Sequence, residues 1–258
     1  MDYNEILFSK EGSIGSLTLN NPQKINALSK KMTGEIIHAL TAISGDESIK
    51  VVIIRAAGKH FCAGHDLSEM TGHGVKEYKF IFDQCTKMME MIHTIPQPVI
   101  AQVQGVATAA GCQLVAWCDL AIAEEGARFA TPGVRIGLFC TTPMVAITRA
   151  IGRKAAMEML LTGRFFSASE ARVMGLVNRV VSLEDLSKET ESLALQIAEA
   201  SRFVLAIGKK GFYDQIDQSD DHAMQYASHT MTMNLMAEDA QNGIASFIKK
   251  EKPIWKNR

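Results

Sequence analysis

The sequence predicts a layered α/β protein. Of its 258 residues, 47% are hydrophobic, which is sufficient for one large core or for one core with a small appendage. Short apolar runs alternate along the first half of the chain with segments whose apolar residues recur every three or four positions. Strands and helices that alternate in this way pack as layers around a shared core.

The elements of the first half follow a β-α-β order. The apolar patterns predict a strand over 14–19, a helix over 32–43, a buried strand over 51–54, a helix over 78–92 and a strand over 98–103. This succession is the basis for the α/β assignment.

Helical signals dominate the C-terminal third. Strand signals thin out beyond about residue 143, and both SASE at 167–170 and SLED at 182–185 match the pattern of a helix start. The segment HAMQYASHTMTMNLM at 222–236 has many methionines and only a weak polar face. It is compatible with a subunit interface and equally with a buried core helix.

The charge balance excludes several classes of partner. The chain has 27 lysine and arginine residues against 28 aspartate and glutamate residues, a formal net charge of -1, and no long basic run. These features argue against nucleic acid and against a membrane surface as the main partner. A protein that binds a small molecule is the better expectation.

The cysteines and the N-terminal residues predict a compartment. The five cysteines, at 62, 85, 112, 118 and 140, lack the short paired spacings of a zinc site or a disulfide framework, so we expect no metal and a reducing environment. The first residues carry neither an apolar signal core nor an arginine-rich amphipathic helix. We therefore expect a cytoplasmic protein.

Two segments of small residues predict an anion site built from backbone. In KHFCAGHDLSEM at 59–70, Gly64 permits a close backbone approach, and a helix that starts near Asp66 would leave the amides around His65 free. The segment from Gly105 to Gly111 contains only small residues after a predicted strand, so its amides can also reach a ligand carbonyl. Two converging amides form an oxyanion hole, although tight packing is the more common role of such turns.

Five ordered motifs carry a resemblance to a known family. They are NPQKINAL at 21–28, FCAGHDL at 61–67, PVIAQVQGVATAAGCQL at 98–114, CDLAIA at 118–123 and FATPGVRIGL at 129–138. Together they resemble the enoyl-CoA hydratase/isomerase superfamily, the crotonase fold, and the resemblance extends over essentially the whole chain.

The resemblance implies a fold, an assembly and a ligand. The fold would be a spiral of ββα units over residues 1–195, with a helical region over 196–258 that is used in trimer formation. The assembly would be a homotrimer or a dimer of trimers. The ligand would be a coenzyme A thioester, bound as substrate or as ligand, without any tightly held cofactor.

By the same resemblance, the backbone amides of His65 and Ala110 are the oxyanion donors. Each such donor contributes roughly 3 kcal/mol to an enolate-like transition state. The remaining residues expected to contact the thioester are Lys24, Ala27, Ala63, Gly64, Asp66, Leu67, Gly111, Phe247 and Lys250. Solvated surface charges remain an alternative for the two lysines, and helix capping an alternative for Asp66.

This chain departs from the family pattern where hydratases carry two glutamates. The corresponding positions are Gln113 and Gly133, and neither side chain can act as a carboxylate acid or base. Cys140 stands where a related decarboxylase branch, which shares the Gly-His-Asp sequence around His65, has a tyrosine. Its thiol is a candidate acid or nucleophile, with a buried inert cysteine as the alternative.

Three functions are compatible with this pattern. The first is an enzyme, of lyase or isomerase type, that acts on an acyl-CoA through an enolate held by the oxyanion hole. The second is a residual hydratase or isomerase of fatty acid metabolism, and the third is a non-catalytic acyl-CoA binding protein.

Overall fold

The structure, a computed structural model, describes residues 3–258. Nine strands are assigned in this part of the chain: β1 (Ile6–Glu11), β2 (Ile14–Leu19), β3 (Val51–Ala56), β4 (Val99–Val103), β5 (Val106–Thr108), β6 (Leu120–Glu124), β7 (Arg128–Ala130), β8 (Phe166–Ser167) and β9 (Arg179–Val181). They form a six-stranded sheet in the order β1-β2-β3-β4-β6-β9 and a three-stranded sheet in the order β5-β7-β8. The larger sheet is parallel except for the β1–β2 pair.

Ten α-helices accompany the strands within the described residues. They are α1 (Lys30–Gly45), α2 (Val75–Thr94), α3 (Ala110–Trp117), α4 (Thr141–Ala150), α5 (Arg153–Thr162), α6 (Ala168–Met174), α7 (Leu186–Ala198), α8 (Arg202–Gln215), α9 (Asp220–Leu235) and α10 (Glu238–Lys249). Short 3-10 helices span Pro22–Lys24, Leu67–Met70 and Pro132–Ile136. In residues 3–258, no helix is long and apolar enough to cross a membrane.

Strand β3 shows how the layers form. Its alternate side chains point to opposite faces of the sheet. Val52 and Ile54 pack in the main core with helices α1 and α2, whereas Val51 and Ile53 pack with α7 on the other face. Both faces are covered, which explains why VVII is a continuous apolar run instead of an alternating one. The predicted α/β layering and the five predicted elements of the first half are confirmed.

Two predictions about local structure are corrected. Residues 106–108 form strand β5, not a loop, because their backbone groups pair in parallel with β7. At SLED the helix begins at Leu186, and its N-cap is Asp185 instead of Ser182. Ser182 donates its hydroxyl to the Asp185 carboxylate in the preceding turn. The helix start predicted at SASE is confirmed, because Ser167 and Glu170 form a capping box.

A buried ion pair attaches helix α8 to the sheet. Lys209 Nζ lies 2.7 Å from the Asp119 carboxylate and donates to the carbonyls of Ile92 and Gln97. Asp119 also accepts a hydrogen bond from the Tyr213 hydroxyl. Burial lowers the pKa of Lys209, and the Asp119 carboxylate opposes that shift. This network fixes the first helix of the C-terminal region against α2 and the sheet.

Helix α9 contains no buried residue. Met224 and Met236 are 71% and 78% exposed, and Met231 and Met233 are exposed as well. The alternative of a methionine-rich core helix over 222–236 is therefore wrong.

Candidate active site

Segment 62–66 is fixed on one side by strand β5. The Cys62 amide donates to the Val106 carbonyl at 3.0 Å, and the Thr108 amide donates to the Cys62 carbonyl at 2.9 Å. The Thr108 hydroxyl donates to the Ala63 carbonyl at 3.0 Å. These bonds place the start of α3 directly against segment 62–66.

Segment 62–66 is fixed on its other side by residues 25–28. The Ala63 amide donates to the Ile25 carbonyl at 3.0 Å, and the Leu28 amide donates to the Gly64 carbonyl at 2.7 Å. Backbone pairing therefore sets the segment's shape.

Asn26 supports this pairing and was missed by the sequence analysis. It is fully buried with a φ of 50°, in the left-handed region that asparagine tolerates better than most residues. Its side chain accepts from the Asn21 amide and donates to the carbonyls of Ala57 and His60. An asparagine between apolar neighbours in NPQKINAL is the only sequence signal that marks this role.

The segments that carry the two expected donor amides are in close contact at Gly64. A Cβ built on Gly64 would stand 2.9 Å from the Ala109 Cβ and 3.2 Å from the Ala110 amide nitrogen. Gly64 has a φ of +96°, which other residues rarely adopt. Within residues 3–258, neither the His65 amide nor the Ala110 amide donates to a protein acceptor. The geometry leaves two adjacent N–H groups for a ligand.

Helix α3 begins with an unusual backbone conformation. Its N-cap, Ala109, has φ 49° and ψ -118°, a combination that glycine adopts far more easily. A Cβ on Gly111 would stand 2.3 Å from the Cys62 carbonyl oxygen, so this position accepts no larger residue on the present backbone. The start of α3 is therefore in close contact with segment 62–66.

The expected helix near Asp66 is shorter than predicted. Only the four-residue 3-10 helix Leu67–Met70 follows His65, and the Asp66 side chain caps it by accepting from the Ser68 amide at 3.0 Å. A single short turn supplies little dipole. The positive end of a helix dipole at this site is therefore mainly that of α3.

The His65 imidazole is partly buried and uncharged at neutral pH. Its ring meets the Phe82 ring of α2 edge-on, with 5.4 Å between the ring centroids. Its Nε2 atom is buried and has no hydrogen-bond partner in the described part of the chain. Burial lowers the pKa of His65 to about 4, because the interior disfavours the charged form.

Gln113 stands one turn into α3, with only 5% of its surface exposed. Its backbone amide donates to the Ala109 carbonyl at 3.0 Å, which is the regular helical hydrogen bond of the first turn of α3. Its side-chain Oε1 is also buried without a partner among residues 3–258.

The position of the second missing glutamate has no room for a side chain. A Cβ on Gly133 would stand 2.5 Å from the Leu138 carbonyl oxygen and 2.8 Å from the Cys140 Sγ. Cys140 is buried, and burial raises the pKa of its thiol. The thiol is therefore protonated, a state that disfavours its use as a nucleophile.

The nearby charged residues are paired with one another. Lys24 Nζ lies 2.7 Å from the Asp66 carboxylate. The Glu69 carboxylate accepts from the Lys30 backbone amide, and Glu77 pairs with the Lys30 ammonium at 2.5 Å. The Glu69 contact joins the segment between β3 and α2 to the start of α1, the Glu77 contact joins α2 to it, and the Asp66 contact joins the same segment to the 3-10 helix Pro22–Lys24.

The other predicted contact residues are spread more widely. Ala27 is buried beside segment 62–66, and Leu67 is 53% exposed at the start of the 3-10 helix. Phe247 is 84% exposed on α10. Lys250 follows that helix in the left-handed conformation, with a φ of 60°. Their contact with a ligand remains a prediction.

Comparison with known proteins places this geometry in a family. The model of the family described as "Enoyl-CoA hydratase/isomerase" matches residues 9–258. The chain is 46% identical to "Enoyl-CoA hydratase domain-containing protein 3, mitochondrial" of Xenopus laevis over 250 residues, 96% of this chain and 85% of that protein. It is 47% identical to the Homo sapiens protein of that name over 247 residues, 94% of this chain and 80% of that protein.

Solved structures confirm the crotonase fold. An enoyl-CoA hydratase of Mycobacterium smegmatis superposes with a TM-score of 0.96 at 46% identity, covering 98% of this chain and 99% of that one. Human enoyl-CoA hydratase domain-containing protein 3 also superposes with a TM-score of 0.96, at 43% identity, covering 98% and 100%. The word "mitochondrial" in the names of the vertebrate relatives contradicts the cytoplasmic prediction.

We expect Gly64→Ala to weaken acyl-CoA binding by at least about tenfold, because the new methyl group meets the Ala110 amide region and the left-handed backbone is strained. Gly12→Ala is the matched control, since Gly12 has a φ of +55° but nothing within 4 Å of a built Cβ. Calorimetric titration with butyryl-CoA measures both variants. Equal affinity of the two variants would contradict this account of the site.

The His65 imidazole is expected to titrate near pH 4 in the folded protein, well below the ordinary histidine value. Because the folded-state pKa is depressed, the stability linked to this group is complete above about pH 6.5 and is lost as the pH falls toward 4. NMR of the labelled imidazole, assigned with His65→Gln, measures the midpoint. A midpoint at the ordinary value would show that the ring is solvated.

Proposed function

The chain belongs to the enoyl-CoA hydratase/isomerase family, and on this premise we propose that it is an enzyme that binds a coenzyme A thioester and stabilises an enolate of its acyl group. The thioester carbonyl oxygen accepts hydrogen bonds from the amides of His65 and Ala110. The observation that carries the proposal is the close contact of the two segments at Gly64, where neither amide donates to a protein acceptor within residues 3–258.

The backbone origin of the donors supports this function. Peptide N–H groups fixed by β-pairing require no reorganisation when negative charge develops on the carbonyl oxygen. Each donor then lowers the barrier by roughly 3 kcal/mol. Thr108 and Asn26 fix the two segments and are therefore positioning residues.

Ordinary hydration is not the reaction we propose. Gln113 is an amide where an acid would be needed, and the space beside Gly133 is filled by Leu138 and Cys140. Loss of one general acid or base alone removes a factor of about 10² to 10⁴. The reaction therefore depends on enolate stabilisation, without a carboxylate pair to activate water.

The coenzyme A moiety is proposed to lie along the backbone of Lys24, Ala27 and Ala63. Lys24 is half exposed beside Asp66 and is available to a phosphate group if that ion pair opens. Phe247 and Lys250 are proposed for the nucleotide end of the ligand. No tightly bound cofactor is part of this proposal.

We propose a homotrimer or a dimer of trimers, in which region 196–258 supplies subunit contacts and region 1–195 holds the site. The support is the exposure of Met224, Met231, Met233 and Met236 on and directly after α9, because exposed apolar side chains that lie together mark interaction surfaces.

Acyl-CoA binding without turnover is the second candidate function. It is favoured by the character of three side chains at the site: Gln113 is an amide, burial keeps the His65 imidazole neutral, and the Asp66 carboxylate is paired with Lys24.

Calorimetry and a hydration assay test the proposal together. We expect butyryl-CoA to bind saturably, and crotonyl-CoA to be bound but hydrated at least about 10² to 10⁴ times more slowly than by a two-glutamate member of the family. The loss of enoyl-thioester absorbance reports the turnover. If no thioester binds, the proposed function is wrong; rapid hydration would contradict the role assigned to Gln113 and Gly133.

A further inference from the structure

Helix α10 buries almost none of its own surface. Of its 12 residues, all of which lie in the described part of the chain, only Asp239 and Ser246 are buried, and neither side chain is apolar. Ile244, Phe247 and Ile248 are exposed. Apolar packing, which normally holds an amphipathic helix in place, therefore contributes little to the orientation of α10.

A buried carboxylate at the start of α10 joins three parts of the chain. Asp239 is 1% exposed. It accepts hydrogen bonds from the Ser201 hydroxyl at 2.5 Å, the Lys256 amide at 2.6 Å and the Asn257 amide at 2.8 Å. Ser201 is the N-cap of α8, and Lys256 and Asn257 belong to the segment after α10. We call these four residues the Asp239 clamp.

The segment after α10 runs back along the helix. Lys250 ends α10 in the left-handed conformation, with a φ of 60°, and the chain then reverses its direction. The Asn242 side chain donates to the Ile254 carbonyl at 2.6 Å, and the Asp239 amide donates to the Arg258 carbonyl at 3.0 Å. The returning segment therefore lies beside the first half of α10.

Trp255 attaches the returning segment to both neighbouring helices. Its Nε1 donates to the Glu199 carbonyl, two residues before the N-cap of α8, at 2.7 Å. A Cβ built on Gly243 would stand 3.2 Å from the Trp255 ring, so the ring packs directly against the backbone of α10. These contacts reinforce the Asp239 clamp at the same end of the helix.

The other end of α10 is an exposed tip, residues 247–252. The tip carries Phe247 and Lys250, which are proposed for the nucleotide end of coenzyme A, and it has three lysines against one glutamate. A 12-residue helix spans about 18 Å, so a tilt of about 15° at its base moves the tip by roughly 5 Å. The clamp at one end therefore controls the position of the tip at the other.

We propose that Asp239 is a positioning residue for coenzyme A, because its clamp fixes the direction of α10 and thereby places Phe247 and Lys250 at the nucleotide end of the ligand. This inference rests on the proposed function and adds the residue that holds the nucleotide contacts in place. Asp239 does not itself touch the ligand. It acts only through the tip.

The clamp requires a carboxylate. Burial alone would raise the pKa of Asp239, but the hydrogen bonds from Ser201, Lys256 and Asn257 outweigh burial and hold the pKa below its ordinary value. All three partners donate, and an ionised carboxylate only accepts. An asparagine at 239 would direct its NH2 group at a donor and lose at least one of these bonds.

Two thioesters with the same acyl group test the proposal. Butyryl-CoA carries the nucleotide, whereas butyryl-pantetheine lacks the nucleotide and all phosphates. We expect Asp239→Asn to weaken butyryl-CoA binding by about tenfold and to leave butyryl-pantetheine binding within about twofold of the wild-type value. Calorimetric titration measures both affinities. A purely structural role for Asp239 would weaken both ligands together.

Glu238→Gln is the matched control. Glu238 precedes Asp239 and pairs with Lys256 and Arg258, but these ion pairs are solvent-exposed, and such pairs contribute little. We expect this variant to bind both thioesters as the wild type does. Trp255→Ala is the second clamp variant and should show the same selective loss as Asp239→Asn. It keeps the proposal testable if Asp239→Asn fails to fold.

A combined variant shows whether the clamp acts through the tip. Phe247→Ala with Lys250→Asn removes the proposed nucleotide contacts, and asparagine tolerates the left-handed backbone at 250. In this background, Asp239→Asn should cause no further loss of butyryl-CoA affinity, because the residues through which it acts are gone. The molecular mass in solution should be the same for every variant.

The outcomes separate this inference from the proposed function. If neither thioester binds to the wild-type protein, the proposed function fails. The positioning role is wrong if the wild type binds both thioesters equally, if Asp239→Asn weakens both equally, or if its effect persists in the Phe247→Ala with Lys250→Asn background. A lower molecular mass of the clamp variants would also contradict it, because the clamp would then support assembly instead.

Discussion

The close approach of two backbone segments is the constraint on which the candidate site depends. Gly64 lies so near Ala109 and Ala110 that a single added carbon would stand within about 3 Å of both. Strand β5 on one side and residues 25–28 on the other hold segment 62–66 in this place by backbone hydrogen bonds. Because the proposed donors are peptide groups, the proposed oxyanion hole does not depend on which side chains surround it.

Three positions around the proposed donors carry no charge at neutral pH. Gln113 replaces an acid, Gly133 leaves its space to Leu138 and Cys140, and burial keeps His65 neutral. A site of this character fits the proposed stabilisation of an enolate, but neither position 113 nor position 133 supplies a carboxylate with which to activate water. The family fold thus persists here with altered side chains at positions 113 and 133.

The layered fold and the first-half elements were predictable from the sequence, because buried strands such as VVII and periodic helices such as α1 leave strong local patterns. Strand β5 was not, since its three residues are small and become a strand only by pairing with the distant β7. The two segments that carry the proposed donor amides were predicted from their small residues, and the assignment to His65 and Ala110 came from the resemblance. The unpaired atoms of His65 and Gln113, and the space filled beside Gly133, depend on contacts between remote segments that no local pattern encodes.

Isotope-edited infrared spectroscopy of butyryl-CoA labelled with ¹³C at the thioester carbonyl tests the central claim most directly, because the stretching frequency of that bond reports its polarisation. If the His65 and Ala110 amides both donate to the carbonyl oxygen, the band of the bound ligand lies at lower frequency than the band of the ligand in water. A band that stays unchanged or moves to higher frequency in the fully bound state would show that no oxyanion hole acts on the thioester.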